Sequence, residues 1–168
     1  MDLTKLIIRQ AESKDAAGLA AVYAGPNAIA GTLQLPWPSS ELWSERIAKP
    51  PAGATHLIAV LDDEVVGSIG LILSQNVRRR HVADIGMGVK DAFQGQGVGS
   101  QLMSSVIDLA DNWHNIHRLE LSVNADNVAA IALYKKFGFV EEGLARDYAF
   151  RNGAYVDALN MARIKSLS

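Results

Sequence analysis

The chain has 168 residues, 49% of them apolar and 20% charged, with a formal net charge of −2. This is the make-up of one soluble domain spanning residues 1–168, and so weak a net field offers no basis for binding nucleic acid or an anionic membrane. With no cysteine there can be no disulfide, thiolate metal ligand or cysteine nucleophile. No apolar run reaches the roughly 18 residues of a bilayer span, and the start of the chain lacks a signal-peptide pattern, so a cytoplasmic location is expected.

In chain order, Leu6 to Arg9 has strand character. Glu12, Ser13 and Asp15 then supply helix-start chemistry for an apolar face of Leu19, Val22 and Tyr23, which ends at Gly25-Pro26. Asn27 to Ser39 reads as irregular. Ser39 or Ser40 caps a second helix carrying Leu42, Trp43 and Ile47, stopped by Pro50-Pro51. Leu57–Leu61 and Val65–Leu73 read as a hairpin joined by Asp62-Asp63-Glu64, and Val82–Val89 as the next strand. Apolar residues at 98, 102, 103, 106, 107, 109, 110 and 113 follow a helical period. Ile116 to Val123 alternates as a strand. Asn127 caps a helix from Val128 to Phe137, with Gly138 just past its end. Phe139–Phe150 and Tyr155–Ile164 flank Asn152-Gly153, a strong hairpin turn. The expected fold is α+β (α/β): a mixed, mostly antiparallel sheet of six or seven strands, about four flanking helices, and one central βαβ unit.

The glycine-rich loop between the 82–89 strand and the next helix carries the chemistry. Gly95, Gly97 and Gly99 let the backbone turn tightly, and a helix starting there presents unpaired N–H groups and the positive end of its dipole. That combination suits phosphate. A nucleoside-triphosphate loop needs Gly-Lys-[Ser/Thr], but Gly99 is followed by Ser100 and no lysine. A dinucleotide loop needs G-x-G-x-x-G, whereas this one is G-x-G-x-G; Glu120 lies at the spacing of a ribose-binding acid but falls in mid-strand.

Gln94-Gly95-Gln96-Gly97-Val98-Gly99, following Met87-Gly88-Val89, resembles the acyl-CoA loop of the GNAT superfamily of N-acetyltransferases. A second block, Asn124-x-x-Asn127 with Ala129-Ala130, Leu133-Tyr134-Lys135-Lys136 and Phe137-Gly138-Phe139, resembles that family's N-x-x-A…LYxKxGF segment. The order of the elements fits as well, so the resemblance spans essentially the whole chain.

The resemblance implies acetyl-CoA as acyl donor and no metal. Its pyrophosphate would lie on the amides of Gly95 to Ser100, with Gln94 at a position that is arginine or glutamine in the family. The backbone of Met87 to Val89, with Gly88 between, would pair with the pantetheine arm, and the strands on either side would splay to admit it. Asn124 and Asn127 are candidates for pantetheine or nearby backbone contacts; for Asn127 a plain helix cap is the alternative. Tyr134 would protonate the departing thiolate, its alternative being a core tyrosine. Asp84, or else Glu120 on the neighbouring strand, would deprotonate the amine, unless both are simply solvated or salt-bridged carboxylates. The acceptor pocket would be built from Thr32, Gln34 and Trp37 with the closing hairpin around Tyr148 to Asp157, while Trp37 and Trp43 could equally be packing residues. Arg78-Arg79-Arg80 could meet a coenzyme phosphate or form a solvated loop.

The expected function is therefore direct acetyl transfer to the primary amine of a small molecule, an L-amino acid being the favoured class. A ribosomal-protein-type N-terminal acetyltransferase and a non-catalytic acyl-CoA-binding module are the alternatives. Members of the family are often dimers, so a homodimer is allowed.

Overall fold

A computed structural model describes residues 1–166. Its centre is a seven-stranded sheet in the order β1-β2-β3-β4-β5-β7-β6, with strands β1 (Ile7–Gln10), β2 (Ala54–Leu61), β3 (Glu64–Leu73), β4 (Val82–Val89), β5 (Arg118–Asn124), β6 (Val140–Arg151) and β7 (Ala154–Ile164). Neighbours are antiparallel except β4 and β5, which pair in parallel through the crossover helix α4 (Val98–Asn112). The expected βαβ unit is therefore present, at the middle of the sheet.

Alternation along the strands divides the core between the two faces. On one face Ile69, Leu71, Ala83, Ile85, Leu119, Leu121 and Val123 pack under α4 and α5 (Val128–Lys136). On the other, Ile58, Val60 and Val65 meet α1 (Ala16–Val22) and α3 (Ser40–Ala48) through Leu19, Val22, Tyr23 and Trp43. The helix starts follow their predicted chemistry: Ser39 Oγ accepts from Leu42 N at 3.1 Å, and Asn127 Oδ1 from Ala130 N at 3.2 Å. The β6–β7 turn has positive φ at both Asn152 (48°) and Gly153 (81°), the backbone a tight two-residue hairpin requires.

Two expectations need correction. The stretch from 27 to 39 is not wholly irregular, because α2 (Pro26–Ala30) forms a fifth helix. Its N–H groups are capped by Asp91, far along the chain, so local sequence shows only the proline at its first position. The strand after α4 starts at Arg118, not Ile116; Ile116 is buried in the loop before it.

Candidate active site

Hydrogen-bond parity locates an open strand edge. β4 and β5 pair only over Val82–Asp84 with Arg118–Glu120, and beyond that they separate. In an antiparallel pair alternate residues turn both N–H and C=O toward the partner. The Lys90 N to Val66 O bond (2.8 Å) shows that residues of β4 with even numbers face β3, so Met87 and Val89 turn their backbone groups into the split. On the opposite wall, Lys165 N to His117 O (2.7 Å) and Ala125 N to Asp157 O (2.8 Å) assign the odd residues of β5 to β7. Ser122 and Asn124 therefore face the split from that side. The result is a gap between two strands, lined with backbone groups that a ligand can pair with as an added strand.

At the mouth of this gap lies the glycine loop. A 3₁₀ turn over Asp91–Phe93 leads into it, and Gly97, with φ of 96°, is the residue from which α4 starts. A side chain at Gly97 would be strained and would meet Leu3 at 2.9 Å. Val98, Gly99 and Ser100 form the first turn of a 15-residue helix with no acidic residue there, which leaves its N–H groups and dipole available to an anion. The side chain of Gln94 turns back onto the strand, where Nε2 donates to the Val89 carbonyl at 3.0 Å and approaches Asp91 Oδ1 at 3.4 Å. Gln96 likewise donates to Ala92 O. Gly99 lets α4 approach α5, since a Cβ there would lie 3.0 Å from Leu133.

Tyr134 is 7% exposed in α5, its ring 5.8 Å from that of Phe139. Burial, with a smaller contribution from Tyr23, pushes its pKa up to about 12, so the phenol holds its proton at neutral pH. Tyr23, which sequence reasoning missed as a site residue, comes from α1 to the other face of β4. Its hydroxyl shares a 2.8 Å hydrogen bond with Ser68 Oγ, and its ring fills the space a side chain at Gly88 would need.

The two carboxylates lie side by side, Asp84 opposite Glu120 in the short parallel ladder. Their environments differ. Glu120 accepts from Arg79 at 2.7 Å and Arg118 at 2.8 Å; burial would raise its pKa, but these bonds outweigh it and hold the pKa low. Asp84 has no ion pair among the described residues. Burial, then the charge of Glu120, raises its pKa against the opposing pull of Arg79. Within the basic run, Arg79 is thus committed to Glu120.

Helix α2 reaches across the open end of the split. Asp91, just past β4, accepts from Asn27 N and Ala28 N, each at 2.9 Å. At the other end of the helix, the Ala30 carbonyl accepts from Asn124 Nδ2 at 2.8 Å and from Arg151 Nη1 at 3.2 Å, with Arg151 also ion-paired to Asp126. Asn124 is thereby occupied with backbone, and Asn127 with its cap. Thr32 Oγ1 donates to Ala28 O, Gln34 Oε1 accepts from Arg46, and Trp37 is 93% exposed with φ of 58°. Trp43, in contrast, is a core residue stacked on Tyr23 at 5.0 Å. Asp91 gave no sequence signal beyond its residue type, and Arg151 only its place in the closing hairpin, because their partners are distant in the chain.

A β4/β5 split entered by a glycine loop, with a buried tyrosine on α5, is the architecture of an acyl-CoA-dependent N-acetyltransferase. Residues 18–139 match the model of the acetyltransferase (GNAT) family, and the chain belongs to that family. It is 44% identical to the L-amino acid N-acetyltransferase AaaT of Escherichia coli (strain K12) over 97% of this chain and 100% of that one. Among solved structures it resembles a GNAT-family acetyltransferase from Streptococcus pneumoniae, with TM-score 0.80, 29% identity, and coverage of 95% of this chain and 99% of that one. It also resembles the ribosomal-protein-alanine N-acetyltransferase from Brucella melitensis, with TM-score 0.81, 26% identity, and coverage of 95% and 99%. Among the described residues no helix is long and apolar enough to cross a membrane.

Proposed function

We propose that this N-acetyltransferase transfers the acetyl group of acetyl-CoA directly to the α-amine of free L-amino acids. The observation that carries the coenzyme assignment is the opened edge of β4, where Met87 and Val89 face a gap that no strand fills. The residues present fit the group. Gln94 to Ser100 supply N–H groups and a helix dipole for a pyrophosphate, and Met87 to Val89 supply a strand edge of the kind an amide-containing arm pairs with. When bound, acetyl-CoA supplies a thioester carbonyl open to attack by an amine and a thiolate that must leave.

Each remaining step falls to a side chain. Tyr134 holds the proton that a departing thiolate needs, and its raised pKa keeps that proton in place at neutral pH. Asp84 is the better base of the two carboxylates. Its raised pKa brings its basicity closer to the amine's, whereas the lone pairs of Glu120 are engaged by Arg79 and Arg118. Thr32, Gln34 and Trp37 flank the acceptor entrance at the end of the pinned helix α2. The amino acid class is supported by the full-length identity to AaaT.

The test is a thiol-release assay with acetyl-CoA against a panel of free L-amino acids, simple amines and short peptides. Turnover on free amino acids above that on peptides is the expected result. Preference for peptides beginning with alanine would replace this reading with N-terminal acetylation.

A further inference from the structure

Glycine within a strand is unfavourable and needs a reason, which is often the close approach of another backbone or of a ligand. β3 and β4 contain four glycines. Packing accounts for two of them: a Cβ at Gly67 would lie 3.1–3.2 Å from Val98, Leu102 and the Gly88 carbonyl, and one at Gly88 would strike the Tyr23 ring at 2.3 Å. Packing does not account for the other two. A Cβ at Gly70 would come no nearer to anything than 4.0 Å from the Gly86 carbonyl, and one at Gly86 would meet nothing within 4 Å. Neither residue has the positive φ that would demand glycine.

These two glycines are register partners, and the next residue in the same cross-strand row is His56 of β2. The row lies on the face that carries α1 and α3. Toward the glycine loop the neighbouring row is Ser68 and Gly88, roofed by Tyr23; on the other side it is Ile72, 41% exposed, and Asp84. A strip of bare peptide therefore runs from the β4/β5 split across two strand spacings, about 10 Å, to His56, whose ring is 6.0 Å from that of Trp43. Burial lowers the pKa of His56, so the cation at that end is Arg46, whose guanidinium lies 4.7 Å over the Trp43 ring. Asp84, the carboxylate assigned as base, stands at the end next to the split.

We propose that Gly70 and Gly86 are the floor of the acceptor side-chain subsite, which takes amino acids with an extended apolar side chain, unbranched or aromatic, lying flat on their peptide planes and pointing toward His56. This rests on the amino acid reading above. The bare floor gives a flat side chain contact along its whole length, and the Arg46 guanidinium at the His56 end disfavours basic side chains.

Gly86→Ala, Gly70→Ala and Gly86→Val test this cleanly, because the space around both positions means that the variants should fold with an unchanged or raised thermal midpoint. Coenzyme binding, kcat and KM are to be measured for alanine, norleucine and phenylalanine, and for phenethylamine. For norleucine and phenylalanine kcat/KM should fall about tenfold in Gly86→Ala and further in Gly86→Val, with alanine changed less than about twofold and coenzyme affinity intact. Equal loss on alanine and phenylalanine, or loss on neither, overturns the proposal. If the wild type accepts phenethylamine as readily as phenylalanine, the amino acid reading fails. The selective loss on large side chains in Gly86→Val still decides the subsite.

Discussion

The two sides of the split in the sheet are built in opposite ways. The wall proposed to bind the pantetheine arm and pyrophosphate is one continuous segment: β4, a 3₁₀ turn, the glycine loop and the first turn of α4, all within residues 82–100. The acceptor side is assembled from distant pieces. The short helix α2 is pinned by Asp91, 63 and 64 residues away, by Asn124, 94 away, and by Arg151, 121 away. Backbone geometry makes the first site and side chains bridging separate elements make the second. Mutations should therefore separate coenzyme affinity from acceptor use.

On the acceptor side the largest effect is expected at Asp84, the proposed base. Asp84→Asn should lower turnover about a hundredfold while coenzyme affinity stays within about twofold, as measured by steady-state kinetics and coenzyme titration. In the wild type the acidic limb of kcat/KM should titrate above the ordinary carboxylate range, because burial and Glu120 raise the Asp84 pKa, and the variant should lose that limb. The sign for stability is opposite. Ionising a group whose pKa is raised on folding costs stability, a cost that accrues as pH rises through its unfolded and then its folded pKa. Asp84→Asn should therefore be at least as stable as the wild type at pH 7.

Gly97→Ala probes the other side. Its left-handed backbone and the contact with Leu3 should cost about 1–3 kcal/mol of stability and weaken coenzyme binding about tenfold. The acceptor KM at saturating coenzyme should stay within about twofold. A smaller effect is expected at Arg151→Ala, which releases the Ala30 carbonyl and the Asp126 pair: about a fivefold rise in acceptor KM, with coenzyme affinity unmoved. A matching loss of coenzyme affinity would show that the two sides are not separable.

The same contrast explains what could be read from sequence. The strands, the βαβ unit, the anion loop and the Asn127 cap were legible because each is specified by neighbours within a few residues. The roles proposed for Tyr134 and Asp84 rest on the block around the one and on the place of the other on β4. Helix α2 was not, since its capping carboxylate arrives from beyond β4 and only Pro26 marks its start. Nor was the room around Gly70 and Gly86, which depends on cross-strand register and not on any local pattern. Trp37 and Trp43 look alike in sequence, yet one is exposed and the other is stacked in the core.

The proposed proton donor to the departing thiolate is the buried phenol of Tyr134. Tyr134→Phe keeps the ring and its contact with Phe139 while removing that proton. Turnover and the coenzyme dissociation constant measured on the same preparation should show kcat reduced about a hundredfold or more with the dissociation constant within about twofold. An unchanged kcat would show that Tyr134 does not supply that proton.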